Sequence, residues 1–246
     1  MKLSILGSSS SSNCYVLHND KEALIIEAGV TIQNVKQALD FNISKVVGCF
    51  VTHEHGDHSK YVEQYLKASI DVMSSKGTID NIVIKGNRKP LAIEKYKILQ
   101  YGSFKVFAFD TQHDCQEPIG FLINHSEIGT LLFATDTYYL RNTFPNLNNI
   151  MIECNYSISL LNENVSNGKI HNVQRERVRQ SHMSLETLKE TLKANDLTNV
   201  NNIILLHISK DNGDEKLFKK EIELLTGKRV TIAKRGIELT IDKTPF

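Results

Sequence analysis

The feature that most restricts what this chain can fold into is a short stretch, Thr52-His53-Glu54-His55-Gly56-Asp57-His58. It follows directly on residues 45–51, a near-continuous apolar run that predicts a strand buried on both faces. Three histidines and an aspartate fall within six positions. At this chain's own frequencies of those residues, a chance match to that spacing has odds of about one in a thousand or less. His53 and His55 are two apart on extended chain, so both rings leave from the same side. Neutral imidazoles at that pitch can clamp one borderline-soft divalent ion. Gly56 lets the chain turn, and Asp57 and His58 then open a helix from which they can reach a second ion. A plain solvated loop has no use for three histidines there.

The rest of the chain reads as strands punctuated by turns, with a few helices. Strands are predicted at 2–6, 14–18, 23–27, 45–51 and 70–73, then at 96–100, 105–109, 119–124, 130–134 and 149–153, and finally at 203–207, 230–232 and 236–241. Helical spacing marks 30–41, 57–68, 157–161, 185–194 and 215–225, with Ser184 and Thr187 as a start signal for the fourth. The serine run 8–12 reads as a loop, and the polar, Asn-rich segment 162–181 as the least structured part, a mobile flap. Two β-rich halves with helices predict an α/β fold: an αββα sandwich of two mixed β-sheets with helices on the outer faces. The 246 residues are read as a single domain, 1–246.

Composition narrows the function. Lys+Arg 29 against Asp+Glu 28 leaves a net charge of +1, so any nucleic-acid contact must come from a local patch. No signal peptide and no membrane span are read, so no membrane partner is expected. Cys14, Cys49, Cys115 and Cys154 form no CxxC pair and read as reduced thiols, which predicts a cytoplasmic location. No pattern in the chain bears on its oligomeric state.

Further candidate ligands stand at the tips of apolar strands. His113 follows 105–109, Asp136 follows 130–134, and His207 ends 203–207. Each alone would be an ordinary loop residue, but beside the 53–58 cluster they read as site residues. HxHxDH, a lone His, a lone Asp and a late His at a strand end resemble the pattern of the metallo-β-lactamase superfamily. Smaller pieces are similar to its WalJ (YycJ)-type exonuclease branch: Gly7-Ser8-Ser9 through Asn13, Ile152-Glu153-Cys154-Asn155-Tyr156, Ser181-His182-Met183-Ser184 and Leu206-His207-Ile208-Ser209-Lys210. The resemblance implies a binuclear centre of Zn or Mn. His53, His55 and His113 would hold one ion; Asp57, His58 and His207 the other; Asp136 would bridge them. It also implies that Glu27-Ala28-Gly29, where the family has an Asp-Gly step, supports the loop instead of binding metal.

The expected chemistry is phosphodiester hydrolysis by a hydroxide shared between two ions and oriented by Asp57, acting on DNA as an exonuclease. A bridging carboxylate keeps two ions about 3.5–4 Å apart, which suits in-line displacement at phosphorus. Arg175, Arg177 and Arg179 can hold backbone phosphates or simply form a solvated helix face. The serine loop 8–12, with Ser9 in it and Asn13 beside it, offers hydroxyls and backbone N–H groups that can bind a phosphate, or is a plain hairpin-side loop. Tyr138, Tyr139 and Tyr156 can stack on bases or pack at the rim. His182 reads as the proton donor to the leaving alkoxide, with a turn cap or a metal ligand in place of His207 as the other readings. The competing functions are a small cyclic-nucleotide phosphodiesterase and a non-catalytic metal-binding protein.

Overall fold

A computed structural model describes residues 1–244. The first half runs β1 (Lys2–Ser9), β2 (Ser12–His18), β3 (Ala23–Ile26), α1 (Ile32–Ala38), β4 (Val46–Phe50), α2 (Gly56–Ser59), α3 (Val62–Lys67), β5 (Val72–Ser74), α4 (Lys76–Asn81) and β6 (Leu91–Ala92). The second half runs β7 (Ile98–Tyr101), β8 (Phe104–Asp110), β9 (Ile119–His125), β10 (Gly129–Ala134), β11 (Leu147–Glu153), α5 (Ile158–Ser166), α6 (Asn172–Ser181), α7 (Leu185–Ala194), β12 (Asn202–Leu206), α8 (Glu215–Thr226), β13 (Arg229–Ile232) and β14 (Ile237–Thr240).

Two seven-stranded mixed sheets result, in the orders β14-β1-β2-β3-β4-β5-β6 and β13-β12-β11-β10-β9-β8-β7. Their facing sides share one core, with Leu3, Ile5, Leu24 and Phe50 from the first sheet against Val106, Phe121, Phe133 and Leu206 from the second. Outside the first sheet, Val35, Tyr65 and Leu66 from α1 and α3 pack on Ile25 and Cys49. Outside the second, Leu188, Leu192, Phe218 and Ile222 from α7 and α8 pack on Ile150, Leu205 and Val230. The expected αββα sandwich is what forms, because each sheet has an apolar side for its partner and another for helices.

The helix ends follow local chemistry. Ser184 accepts a hydrogen bond from the Thr187 amide and starts α7 where the sequence predicts. Asp214 caps α8 in the same way through Leu217, and Gly227 closes it in the left-handed conformation.

Three sequence expectations are corrected. Segment 162–181 is no unstructured flap: α5 extends to Ser166 and α6 fills 172–181. Leu161, Val165, Ile170 and Val178 pack there with Tyr156, one apolar side chain per turn, too sparse a stripe to stand out in a polar sequence. The serine run is largely strand: Ser8 and Ser9 end β1, Ser12 begins β2, and only Ser10 and Ser11 make the turn. The predicted helix 57–68 is broken into α2 and α3, because the Tyr61 amide bonds the Ala28 carbonyl instead of continuing the helix. A Cβ at Gly29 would run into the Asp57 carbonyl oxygen, so only glycine lets the β3–α1 link pass this close to the histidine loop. In addition, α4 and β6 form where no pattern was legible.

Candidate metal centre

The site lies along one edge of the sandwich. β8 and β10 are both antiparallel to β9, and β10, β11 and β12 are mutually parallel, so their C-terminal ends emerge together. In open α/β sheets that edge is where ligands bind. His113, Asp136, Glu153 and His207 all come from these ends, and the 53–58 loop comes from the C-terminal end of β4.

Every sequence-predicted ligand converges there. The rings of His53, His55 and His113 form a triangle, with centroids 4.7, 4.9 and 5.0 Å apart. The Nε2 of His58 lies 3.1 Å from Asp57 Oδ2 and 3.2 Å from Asp136 Oδ2. His207 Nδ1 lies 3.4 Å from Asp136 Oδ1. Asp136 is the hub: its carboxylate also lies 3.9 Å from His113 and 3.5 Å from His182. Asp136 and His207 both hold positive φ values, 47° and 52°, an unfavourable backbone for β-tip residues that the surrounding packing enforces.

The groups behind the histidines decide which nitrogen faces the centre. Thr52 Oγ1 donates to Glu27 Oε1 at 2.6 Å, so the contact between His53 Nδ1 and Thr52 Oγ1 at 2.9 Å must be donated by the ring. His113 Nδ1 donates to the Ser181 carbonyl at 2.7 Å. His58 Nδ1 faces Glu27 at 3.3 Å, and His207 Nδ1 faces Glu153 at 3.1 Å. His53 and His113 therefore carry their proton on Nδ1 and turn a bare Nε2 inward, the arrangement that metal-ligating histidines show, and acids stand behind the Nδ1 atoms of His58 and His207. His53 Nε2 and His207 Nε2 are buried with no hydrogen-bond partner among the described residues. Buried polar atoms are seldom left so, and a divalent cation would satisfy both. The residues present thus fit a metal centre, on orphaned nitrogens as well as on donor type.

Electrostatics agree. Burial holds His53 well below the usual imidazole pKa, with the His58 charge adding to it, so it is neutral and can ligate. Burial works against ionisation of Asp136, but His207 and His58 outweigh it and hold the carboxyl well below the usual carboxylate range. Burial also works against a charged His58, yet Glu27 and Asp136 push it well above the ordinary value. A cation entering there displaces that proton.

Two acids stand behind the centre. Glu27, which stands where the family has an Asp, holds the loop through Thr52 and His58. Glu153, fully buried, is a residue that sequence reasoning did not single out. Its Oε1 lies 2.7 Å from His182 Nδ1 and 3.1 Å from His207 Nδ1, while its Oε2 accepts the amides of Thr137 and Met183 at 3.0 and 3.1 Å. An acid closing an apolar strand was the available signal, the same one that marks Asp136. Along β11, Ile150 and Ile152 face the outer helices and Met151 the inter-sheet core, so alternation turns Glu153 inward.

The remaining predicted residues are placed as follows. Asn13 is buried, and its amide lies 3.0 Å from both Asp57 Oδ2 and His58 Nε2. Ser9 bonds Ser11 at the hairpin tip. Ser8, read in sequence as part of a phosphate-binding loop, accepts from Tyr15 and from the His207 amide, tying the first sheet to the end of β12. The three arginines lie on α6 but are each paired: Arg177 with Asp114 at 3.3 Å, Arg175 and Arg179 with Glu176. Tyr156 is buried, whereas Tyr138 and Tyr139 are exposed. A cavity of about 330 Å³ opens beside the centre, bounded by the serine tip, α6 and the loop after β12, with His182 and His207 in its wall.

Residues 9–70 match the model of the metallo-beta-lactamase superfamily. Over 175 residues the chain is 27% identical to exodeoxyribonuclease YycJ of Bacillus anthracis, covering 65% of this chain and 65% of that protein. The chain thus spans just under two thirds of that relative. It is 24% identical over 230 residues to exodeoxyribonuclease WalJ of Streptococcus pneumoniae, covering 88% of this chain and 84% of that one. In three dimensions it is similar to the metallo-beta-lactamase fold protein YhfI from Bacillus subtilis, with a TM-score of 0.73 over 97% of this chain and 99% of the other at 16% identity, a likeness of fold.

Proposed function

We propose, from the premise that this chain is a hydrolase of the metallo-β-lactamase superfamily, that it is a binuclear phosphodiesterase acting on DNA as an exonuclease. The observation that carries this reading is the place of Asp136, a carboxylate in contact range of His58, His113 and His207, and so of both ligand groups. His53, His55 and His113 would hold one ion, Asp57, His58 and His207 the second, and Asp136 would join them. Zinc or manganese would suit this nitrogen and carboxylate set. When bound, such ions acidify water and draw charge from a phosphoryl oxygen.

The protein's own groups supply the rest. Asp57 is held by Asn13 at 3.0 Å and faces the centre, placed to orient the attacking water. Asn13, buried, positions Asp57 instead of touching substrate. His182 is the proton donor to the leaving oxygen: burial opposes its charge, but Glu153 raises its pKa to about 9, so it is protonated at neutral pH. Thioester hydrolysis has less need of such a donor, because a thiolate leaving group is far less basic than an alkoxide. The names of the two exodeoxyribonuclease relatives support DNA as substrate, and four free thiols accord with a reducing cytoplasm. Among the described residues, no helix is long and apolar enough to cross a membrane.

A small cyclic nucleotide is the second reading, favoured by the modest cavity and the net charge of +1. The test is a panel of single-stranded DNA, duplex DNA and cyclic mononucleotides with Mn²⁺ or Zn²⁺. Release of mononucleotides from DNA is expected. Turnover of the cyclic nucleotides alone would reverse the assignment, and turnover of none would favour a metal-binding protein without catalysis.

The arginines give a separate expectation. If Arg175, Arg177 and Arg179 leave their acidic partners for phosphates, neutralising all three flattens the salt dependence of DNA binding by about one unit of log–log slope per lost contact. Equal slopes for wild type and triple variant would assign the arginines to ion pairs on the surface of α6.

A further inference from the structure

The cavity beside the centre has one feature that the hydrolytic machinery leaves unused. Its outer wall carries Lys210, an exposed cation with no partner among the described residues, unlike the paired arginines of α6. Ser10 and Ser11 at the hairpin tip line the cavity as well. The loop that presents Lys210 is fixed on both sides: the Ser209 amide bonds the Asn155 carbonyl at 2.9 Å, and Asn164 of α5 holds the Asp211 carbonyl at 2.8 Å. The Asp211 side chain also lies at this rim and is exposed. Val178 and Ile208 supply an apolar flank and Gln174 an amide.

Walls on three sides and a volume of about 330 Å³ set a limit on what enters. That volume is near the lower end of the ~300–1,000 Å³ typical of small-molecule pockets and matches a single nucleotide. The inner wall is His182 and His207, so a nucleotide here borders the scissile bond directly. A strand end differs chemically from its interior when it carries a phosphomonoester, which has close to two negative charges at neutral pH and three acceptor oxygens. An internal diester has one charge.

Resting on the phosphodiesterase reading above, we propose that this cavity is an end-recognition pocket, in which Lys210 and the hydroxyls of Ser10 and Ser11 bind the terminal phosphate of a DNA strand and so confine cleavage to the end. The phosphate of one terminal nucleotide sits at the rim, its base lies against Val178 and Ile208, and its inner diester reaches the centre. The pocket serves a strand end in either chemical form, a 5′- or a 3′-phosphate, and the substrates tell these apart.

The experiment uses the metal-loaded protein on one duplex prepared with a 5′-phosphate, with a 3′-phosphate, or with hydroxyls at both ends, alongside bis(p-nitrophenyl) phosphate as a diester without an end. One phosphorylated duplex is expected to show a kcat/KM about tenfold or more above the hydroxyl duplex, the scale of a charge-assisted hydrogen bond. In Lys210→Ala that ratio falls to within about twofold of unity, and Lys210→Arg keeps most of it, because either cation can meet the phosphate. Cleavage of the small diester with equal rates on all three duplexes overturns the pocket assignment alone. A preference unchanged in Lys210→Ala does the same. Cleavage of the small diester without cleavage of any DNA overturns the DNA reading with it.

Discussion

Replacing His182 by alanine is expected to lower kcat by about 10²–10⁴-fold, the usual contribution of a positioned proton donor, while both metal equivalents and substrate affinity persist. His182 is held by Glu153 at 2.7 Å and lies 3.5 Å from Asp136, beside the ligand set. The pH dependence follows in sign. A donor acts while protonated, so the rate falls as pH rises through its pKa. Burial alone would lower that pKa; the Glu153 carboxylate raises it to about 9. Bound cations bring the limb down from there, because they disfavour a nearby positive charge. Glu153→Gln should move the same limb further down, since the largest opposition to burial is then lost and only Asp136 and Asp114 still favour the charged ring. A profile unmoved in Glu153→Gln would reduce that residue to scaffolding. If His182→Ala instead loses one metal equivalent, His182 is a ligand. His182, Glu153, Asp136 and His207 offer atoms within 4.8 Å of one another, so the metal count is the measurement that discriminates.

Metal analysis of protein purified without chelator is expected to approach two divalent equivalents per chain. Asp57, His58, Asp136 and the four other ligands exceed the four that one zinc takes. Asp136→Ala should lose at least one equivalent and essentially all turnover, because a single side chain serves both ligand groups. Asp57→Asn should keep its fold and lose turnover, since the amide replaces the carboxylate that faces His58 and Asn13. Loading should also weaken as pH falls. His58 must give up its proton to ligate, and Glu27 and Asp136, working against burial, raise the pKa at which it does so. A firm value of one equivalent, unchanged by added Mn²⁺ or Zn²⁺, would exclude the binuclear arrangement.

The parts of the site that were legible in sequence share a cause. His53, His55, Asp57 and His58 lie on one loop, and their spacing is itself the geometry. His113, Asp136 and His207 were legible because each ends an apolar strand, and strand ends at one sheet edge converge. Glu153 carries the same signal but was passed over, since a lone acid after an apolar run has no second mark. Its role exists only because His182, distant in sequence, folds back onto it. The start of α5 was legible, but its second half and all of α6 were missed because their apolar residues are too sparse to give a periodic stripe, and only packing on Tyr156 makes them a unit.

By itself, the sequence determined the alternation of buried strands and amphipathic helices, hence two sheets with helices outside, and a polydentate loop at the end of β4. Both are local: strand and helix periods are set by backbone geometry, and loop spacing by neighbours along the chain. Tertiary structure alone decided which ring nitrogen each histidine turns inward, through Glu27, Glu153, Thr52 and the Ser181 carbonyl. It also decided that Asn13 backs Asp57, that the α6 arginines are paired while Lys210 has no partner among the described residues, and that β14 returns to lie beside β1. Each of these depends on a contact between residues far apart in the chain. Such contacts are chosen by which buried polar groups can satisfy one another once the two sheets have closed, and no local pattern records that choice.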